Sequence, residues 1–87
     1  MKSMYVRHKV ADFNSWKKVF DDAEPIRKKY GSLGSDVFRN NSNQNEILII
    51  TYWNSKDDGE KYSHSPELKN AFKDGGVLTA PEVRFSE

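Results

Sequence analysis

Two histidines, His8 and His64, are the side chains of this chain best suited to exchange a proton near neutral pH. An unperturbed histidine has a pKa of about 6.5, so it can act as a general acid or base. Met4, Val6, His8 and Val10 recur at every second position, which is typical of a strand with one apolar face. We therefore expect His8 to point inward, where it is the candidate catalytic residue. The alternative is a hydrogen-bonded core histidine, since no nucleophile or orienting carboxylate is identifiable beside it.

Further ligand-binding candidates lie between two predicted helices, in the segment Tyr62-Ser63-His64-Ser65-Pro66. Tyr62 can donate a hydrogen bond to a ligand carbonyl, although a packing tyrosine is the more common case. His64 is expected in a loop, either at the protein surface or at the rim of a pocket.

Three aromatic residues, Trp16, Phe20 and Trp53, are candidates for the lining of a pocket that takes a small aromatic ligand. The alternative is that they only form the core. A cavity requires that the predicted helix over residues 13–30 does not close fully on the sheet. Pro25 lies inside that helix, and we expect a kink or break near it, because proline lacks an N–H and clashes with the carbonyl four residues earlier.

The composition predicts neither a metal site nor a cofactor. The absence of cysteine excludes disulfides, Cys-based zinc and iron–sulfur sites, and thiol nucleophiles. Two histidines without ligand spacing predict no zinc site, and no glycine-rich phosphate loop is present. The acidic residues have helical and capping contexts that favour solvated faces over metal binding; they are Asp21, Asp22, Glu24, Asp57 and Asp58.

Charge and hydropathy exclude two further classes of partner. The chain has 14 basic and 13 acidic residues, interleaved to a net charge of +1, so no basic surface for nucleic acid is predicted. The longest aliphatic run covers only residues 47–50, which predicts no membrane span, and no signal peptide is recognisable. We expect a cytoplasmic protein.

The pattern of strands and helices predicts an α+β fold with the order βαββαβ. The expected elements are strands at 4–10, 33–39, 46–53 and 81–85, a long helix at 13–30, and two short helices at 55–63 and from 65 to about 74. This order is typical of a ferredoxin-like split βαβ plait, with the first and third strands central in an antiparallel sheet. All 87 residues fit one such domain, residues 1–87.

The third predicted strand is apolar on both faces. Leu48, Ile50 and Tyr52 point one way, whereas Ile47 and Ile49 point the other. Helices of the same chain can cover one face only. Because a small domain buries little of its surface when alone, we expect the second face to pack against another copy of the chain, as a homodimer.

Several segments of the sequence resemble the dimeric α/β-barrel superfamily, and in particular its small members near the antibiotic-biosynthesis monooxygenases. The segments are His8-Lys9-Val10-Ala11-Asp12-Phe13-Asn14-Ser15-Trp16-Lys17, Ser65-Pro66-Glu67-Leu68-Lys69, Gly75-Gly76-Val77 and Pro81-Glu82-Val83-Arg84-Phe85. The resemblance implies two ferredoxin-like sheets that face each other in a dimer. Members of the superfamily include cofactor-free oxygenases of aromatic polyketides, polyketide cyclases, haem-degrading enzymes and proteins without known activity.

The haem-degrading branch is a poor match at its functional positions. By register, its haem-ligating histidine corresponds to Phe72, which cannot bind iron, and its tryptophan corresponds to Tyr62. Two hypotheses remain. The first is a cofactor-independent monooxygenase or cyclase that acts on an aromatic or polyketide-like compound; the second is a non-catalytic dimeric binding or accessory domain.

Overall fold

A computed structural model describes residues 2–86, which form a four-stranded antiparallel sheet with four helices on one face. The strands are β1 (Lys2–Lys9), β2 (Ser32–Arg39), β3 (Glu46–Trp53) and β4 (Glu82–Ser86). The helices are α1 (Phe13–Asp22), α2 (Glu24–Lys29), α3 (Lys56–Ser63) and α4 (Pro66–Asp74). This is the predicted ferredoxin-like α+β fold.

The sheet order is β2-β3-β1-β4, which confirms that the first and third strands are central. β1 begins two residues earlier than expected, because Lys2 and Ser3 pair with Trp53 and Tyr52 at the end of β3. It also ends one residue earlier, at Lys9, since the next residue makes only an isolated bridge. His8 therefore occupies the last part of a central strand.

The helix predicted over residues 13–30 is broken into α1 and α2 at Ala23, two residues before Pro25. Proline is tolerated in the first turn of a helix, so α2 restarts around it. Asp12 caps α1 by accepting a 2.9 Å hydrogen bond from the backbone N–H of Ser15. Gly31 follows α2 with a φ of 106°, a conformation that glycine adopts readily. The expected break near Pro25 is confirmed.

Serine caps set the start of the other two helices. Ser55 accepts a hydrogen bond from the backbone N–H of Asp58, and Ser65 accepts one from that of Leu68. Pro66 then occupies the first turn of α4, where proline is tolerated because its missing N–H would have no partner within the helix.

The two faces of β3 differ in burial. Its helix-covered face is fully buried and joins the core, which consists of Met4, Val6, Val10, Trp16, Ile47, Ile49, Trp53, Tyr62 and Leu68. Its opposite face, here called the open face, carries Leu48, Ile50 and Tyr52 beside Tyr5 of β1, all of them half-buried. Phe38 of β2 pairs with Leu48 and is 51% exposed. The open face thus carries an apolar strip along β3 that is bordered by the charged side chains of Arg7, Asp36 and Arg84. It has no cover from the described part of this chain.

Candidate functional site

A cavity of about 50 Å³ lies between the helices and the sheet. Strands β1 and β3 form its floor, and side chains from α1, α2, α3 and α4 form its walls. Its polar lining residues are His8, Arg27, Thr51 and Tyr62, and its apolar ones are Met4, Val6, Trp16, Val19, Phe20, Ala23, Ile49, Leu68, Ala71 and Phe72. The cavity is therefore aromatic and aliphatic, with a few converging polar groups, which is the usual make-up of a small-molecule site.

His8 lies in this cavity wall and is only 3% exposed. Its Nδ1 atom is buried and has no hydrogen-bond partner within residues 2–86. Its ring makes edge contacts with Trp16 and Phe72, with centroids 5.8 Å apart in both cases. Burial among these rings lowers the pKa of His8, so the neutral imidazole is favoured. His8 points inward as expected, and its Nδ1 lacks the partner that a fully satisfied core histidine would have.

One wall of the cavity is a row of stacked aromatic rings on α1. Trp16 and Phe20 are stacked with centroids 5.0 Å apart and an angle of 22° between their planes. Phe72 of α4 faces His8 from another side. Trp16 and Phe20 thus form an apolar, aromatic part of the cavity wall.

Arg27 contributes a buried positive charge to the same cavity, and sequence reasoning missed it. It is 3% exposed, and its Nη1 donates a 2.8 Å hydrogen bond to the main-chain oxygen of Phe20. Its guanidinium carbon lies 3.8 Å from the centroid of the Phe20 ring. The guanidinium is thus held by the end of α1 and by the aromatic wall.

Tyr62 lines the cavity beside Arg27. Burial raises the pKa of its hydroxyl, and the nearby positive charge and hydrogen bonding of Arg27 oppose that rise. The phenol is therefore protonated near neutral pH and can donate a hydrogen bond into the cavity.

Two of the candidates from the sequence lie outside the cavity lining. Trp53 is fully buried, but its indole Nε1 donates to Thr51 Oγ1 at 2.8 Å and its ring packs against Tyr62, with centroids 5.5 Å apart. His64 is the C-cap of α3 and its side chain is exposed. Of the candidates, the structure thus brings together His8, Trp16, Phe20 and Tyr62 only.

A surface groove of about 340 Å³ runs along the outside of the helical layer, with lining residues from α1, α2 and α4. Val19, Ala23 and Ala71 line both this groove and the inner cavity. These small or short side chains therefore separate the cavity from the groove.

The histidine, aspartate and glutamate side chains of residues 2–86 form no metal-binding cluster, since no three of them are arranged to hold an ion. None of the helices in that range combines the length and the hydrophobicity needed to cross a bilayer.

Comparison with solved structures supports the fold. A candidate antibiotic biosynthesis monooxygenase from Bordetella bronchiseptica superposes with a TM-score of 0.84 at 13% identity, over 99% of this chain and 94% of the other. SnoaB, a cofactor-independent oxygenase from Streptomyces nogalater, gives a TM-score of 0.75 at 12% identity, over 99% and 92%. A further candidate from Caulobacter crescentus gives 0.76 at 19% identity, over 98% and 86%.

Sequence comparison gives the family. No curated protein sequence matched the chain. The family model for antibiotic biosynthesis monooxygenase matches residues 5–74, which includes most of β1 and every later element up to α4. The chain belongs to the antibiotic biosynthesis monooxygenase family.

Proposed function

We propose that this protein is a cofactor-independent monooxygenase that acts on a small, electron-rich aromatic compound bound between the helices and the sheet. The observation that carries the proposal is His8, a buried neutral imidazole with an unpartnered Nδ1 in the wall of an aromatic cavity. Membership of the family and the fold shared with SnoaB, a cofactor-independent oxygenase, support it.

Oxygenation without a cofactor draws its electrons from the substrate, which must therefore lose a proton to become a reductant. His8 would accept the proton from a phenolic hydroxyl, and the ring carbon para to it would then react with O2. The carbon is oxidised from C–H to C=O; one atom of O2 enters the product and the other leaves as water. A histidine with a lowered pKa is unprotonated at neutral pH, as a base must be.

The size of the cavity restricts how a substrate can bind. A cavity of about 50 Å³ holds a few water molecules and is smaller than the roughly 150 Å³ that accommodates benzene. Binding would therefore require α1 and α4 to separate. This route of entry is supported by Val19, Ala23 and Ala71, because these residues line both the inner cavity and the outer groove.

The active form is proposed to be a cytoplasmic homodimer. The apolar strip of the open face, with half-buried Tyr5, Leu48, Ile50 and Tyr52, would pack against the same strip of a second copy. The cavity lies on the opposite side of the sheet, so each protomer would carry a complete site.

The small cavity also favours a second candidate function, a non-catalytic dimeric binding or accessory domain. Such a protein would need no room for a substrate and no accessible base. A cyclase is another form of the first hypothesis, since it would use the same base without consuming O2.

Oxygen uptake with 1-naphthol separates these functions. The wild-type protein is expected to consume O2 and to form the corresponding naphthoquinone, whereas His8→Gln should not. His64→Gln is the matched control, because this exposed histidine lies outside the cavity, and it should retain wild-type activity. Absence of uptake by the wild-type protein, with this and other simple phenols, would refute the oxygenase and leave the cyclase and the accessory function.

A further inference from the structure

Arg27 is a buried cation without a salt bridge. Within residues 2–86, no carboxylate lies within ion-pair distance of it, whereas the ion pairs that do form there, such as Lys28–Glu24, are at the surface. Asp21 and Glu24 favour its charge only from longer range, and burial lowers its pKa. Burying a charge without a close partner is costly, so its position calls for an explanation.

The polar contacts of Arg27 do not use its full capacity. Its hydrogen bond to the Phe20 carbonyl takes one of five N–H donors, and the Tyr62 hydroxyl is its other polar neighbour. Both of these neighbours are uncharged near neutral pH. The guanidinium therefore has N–H donors to spare and no anion beside it.

A structural role at the break between α1 and α2 explains only part of this arrangement. A cation near the C-terminus of α1 interacts favourably with the helix dipole, and Arg27 binds a carbonyl of its last turns. Lys28 and Lys29 lie in the same turn of α2, however, and both are exposed. Positive charge in this turn of α2 is thus compatible with exposure, and the interaction with the helix dipole does not by itself account for a buried guanidinium in the cavity wall.

The neighbours of Arg27 indicate what kind of ligand could pair with its charge. Its guanidinium lies over Phe20, Phe20 stacks on Trp16, and Trp16 contacts His8. The cation and the neutral imidazole with its unpartnered nitrogen therefore lie at the two ends of a column of aromatic rings in one wall of the cavity. An uncharged ligand in the cavity would leave Arg27 unpaired, whereas a negatively charged oxygen at its end of the cavity would compensate it.

We propose that Arg27 is a specificity-determining residue, which selects planar aromatic ligands that carry an anionic oxygen, such as a carboxylate, at the edge opposite the hydroxyl that His8 would deprotonate. The proposal rests on the proposed function insofar as the cavity is the ligand site. The Tyr62 hydroxyl, a protonated donor in the same wall, can provide a second hydrogen bond to that oxygen. His8 would then meet the opposite edge of the ligand.

Benzoate and benzamide test the proposal, because they have nearly the same shape and differ in charge. Binding to the full chain is measured by calorimetry, and proton NMR of the Trp16 indole and of the His8 imidazole reports whether the probes occupy the cavity. The wild-type protein is expected to bind benzoate at least about tenfold more tightly than benzamide, the size of effect typical of hydrogen bonds to charged groups.

The variants separate the charge of Arg27 from its packing. Arg27→Met should abolish the preference for benzoate while retaining affinity for benzamide, and Arg27→Lys should keep part of the preference. Lys28→Met is the matched control, since it removes an exposed charge in the same turn and should change neither affinity.

Three results would overturn the proposal: equal affinity for the two probes in the wild-type protein, binding of neither, or an unchanged preference in Arg27→Met. If Arg27→Met fails to fold, the affinities of the wild-type protein for benzoate and benzamide still test whether the cavity prefers an anionic ligand. A cavity that binds benzamide as well as benzoate refutes the role of Arg27, whereas a charge preference without oxygen uptake refutes only the oxygenase.

Discussion

The hydroxyl of Tyr30 donates a 2.7 Å hydrogen bond to Oε2 of Glu67 and so joins the end of α2 to the first turn of α4. Both helices contribute walls to the cavity, Arg27 from α2 and Phe72 from α4. The bond therefore ties α2 to α4, the helix that we propose moves away from α1 when a ligand of aromatic size enters.

Tyr30→Phe removes this tie without changing the ring. We expect faster hydrogen exchange of the α2 amides and little change in the sheet, measured by exchange mass spectrometry. Tyr52→Phe is the control: it removes a 2.7 Å hydrogen bond to Asp36 on the open face and should leave the exchange of α2 unchanged. Equal exchange of α2 in wild-type and Tyr30→Phe protein would mean that the bond does not restrain this helix.

The same substitution should alter the acid limb of the stability curve. The hydrogen bond from Tyr30 lowers the pKa of Glu67 below its usual value of 4.5. The native state then binds fewer protons than the unfolded state, so this stabilisation is present above that pH and is lost as the pH falls. Below pH 4.5, the urea midpoint of Tyr30→Phe should therefore fall less steeply with decreasing pH than that of the wild-type protein. The same pH dependence in both proteins would contradict this coupling.

His8 should make stability depend on pH at higher values. Burial lowers its pKa below 6.5, so the unfolded state binds the proton more readily than the native state. Above pH 6.5 the imidazole is mostly neutral in both states, and its burial does not reduce the stability of the native state. As the pH falls from 6.5 through the native pKa, the unfolded state takes up the proton first and the native state becomes less stable. Urea unfolding between about pH 5 and 7 should therefore show falling stability for wild-type and His64→Gln protein, and a flatter curve for His8→Gln. A wild-type curve without slope would contradict the burial of His8.

Trp16→Ala should destabilise the fold by about 3–5 kcal/mol, the cost typical of removing a large buried aromatic side chain. Trp16 is 4% exposed and contacts His8, Phe13 and Phe20. Chemical denaturation gives the value, and Leu78→Ala is the control, because Leu78 is 68% exposed. That control should change stability by less than about 0.5 kcal/mol. An unchanged midpoint for Trp16→Ala would mean that Trp16 does not pack in the core.

A charge on the open face should prevent dimerisation. We expect the wild-type protein to sediment at about twice the 10.1 kDa mass of one chain at micromolar concentration. Ile50→Asp should sediment as a monomer, because an unpaired carboxylate would be buried in the interface. Ile26→Asp places the same charge on α2, at a side chain that is 37% exposed, and should remain a dimer. A wild-type monomer would contradict the predicted interface.

The features that could be predicted from the sequence are those that depend on local chemistry. The caps at Asp12, Ser55 and Ser65 and the break near Pro25 follow from single residues and their immediate neighbours. The buried position of His8 followed from alternation along β1.

Arg27 could not be predicted in the same way, because helical spacing over residues 13–30 brings both Ile26 and Arg27 close to the face that carries Trp16 and Phe20. The break at Ala23 changes the rotational phase between α1 and α2, so that Arg27 is buried and Ile26 is 37% exposed.

The sequence pattern also could not predict that Trp53 lies outside the cavity lining. Trp53 is on the buried face of β3, but Tyr62 packs against it and lines the cavity in its place. Cavity boundaries depend on how side chains from distant elements meet.

The central position of β1 has a kinetic consequence. This strand pairs with β3, about half the chain away, and with β4, at the far end of the described chain. Contacts between residues so distant in sequence form late, because the entropy of closing the intervening loop is lost before any pairing compensates it. A β2–β3 hairpin, whose strands are joined by the short segment 40–45, can form first and receive β1 along β3. Because β4 adds to the other side of β1, the strand that carries His8 has both of its neighbours only once the two ends of the described chain have paired.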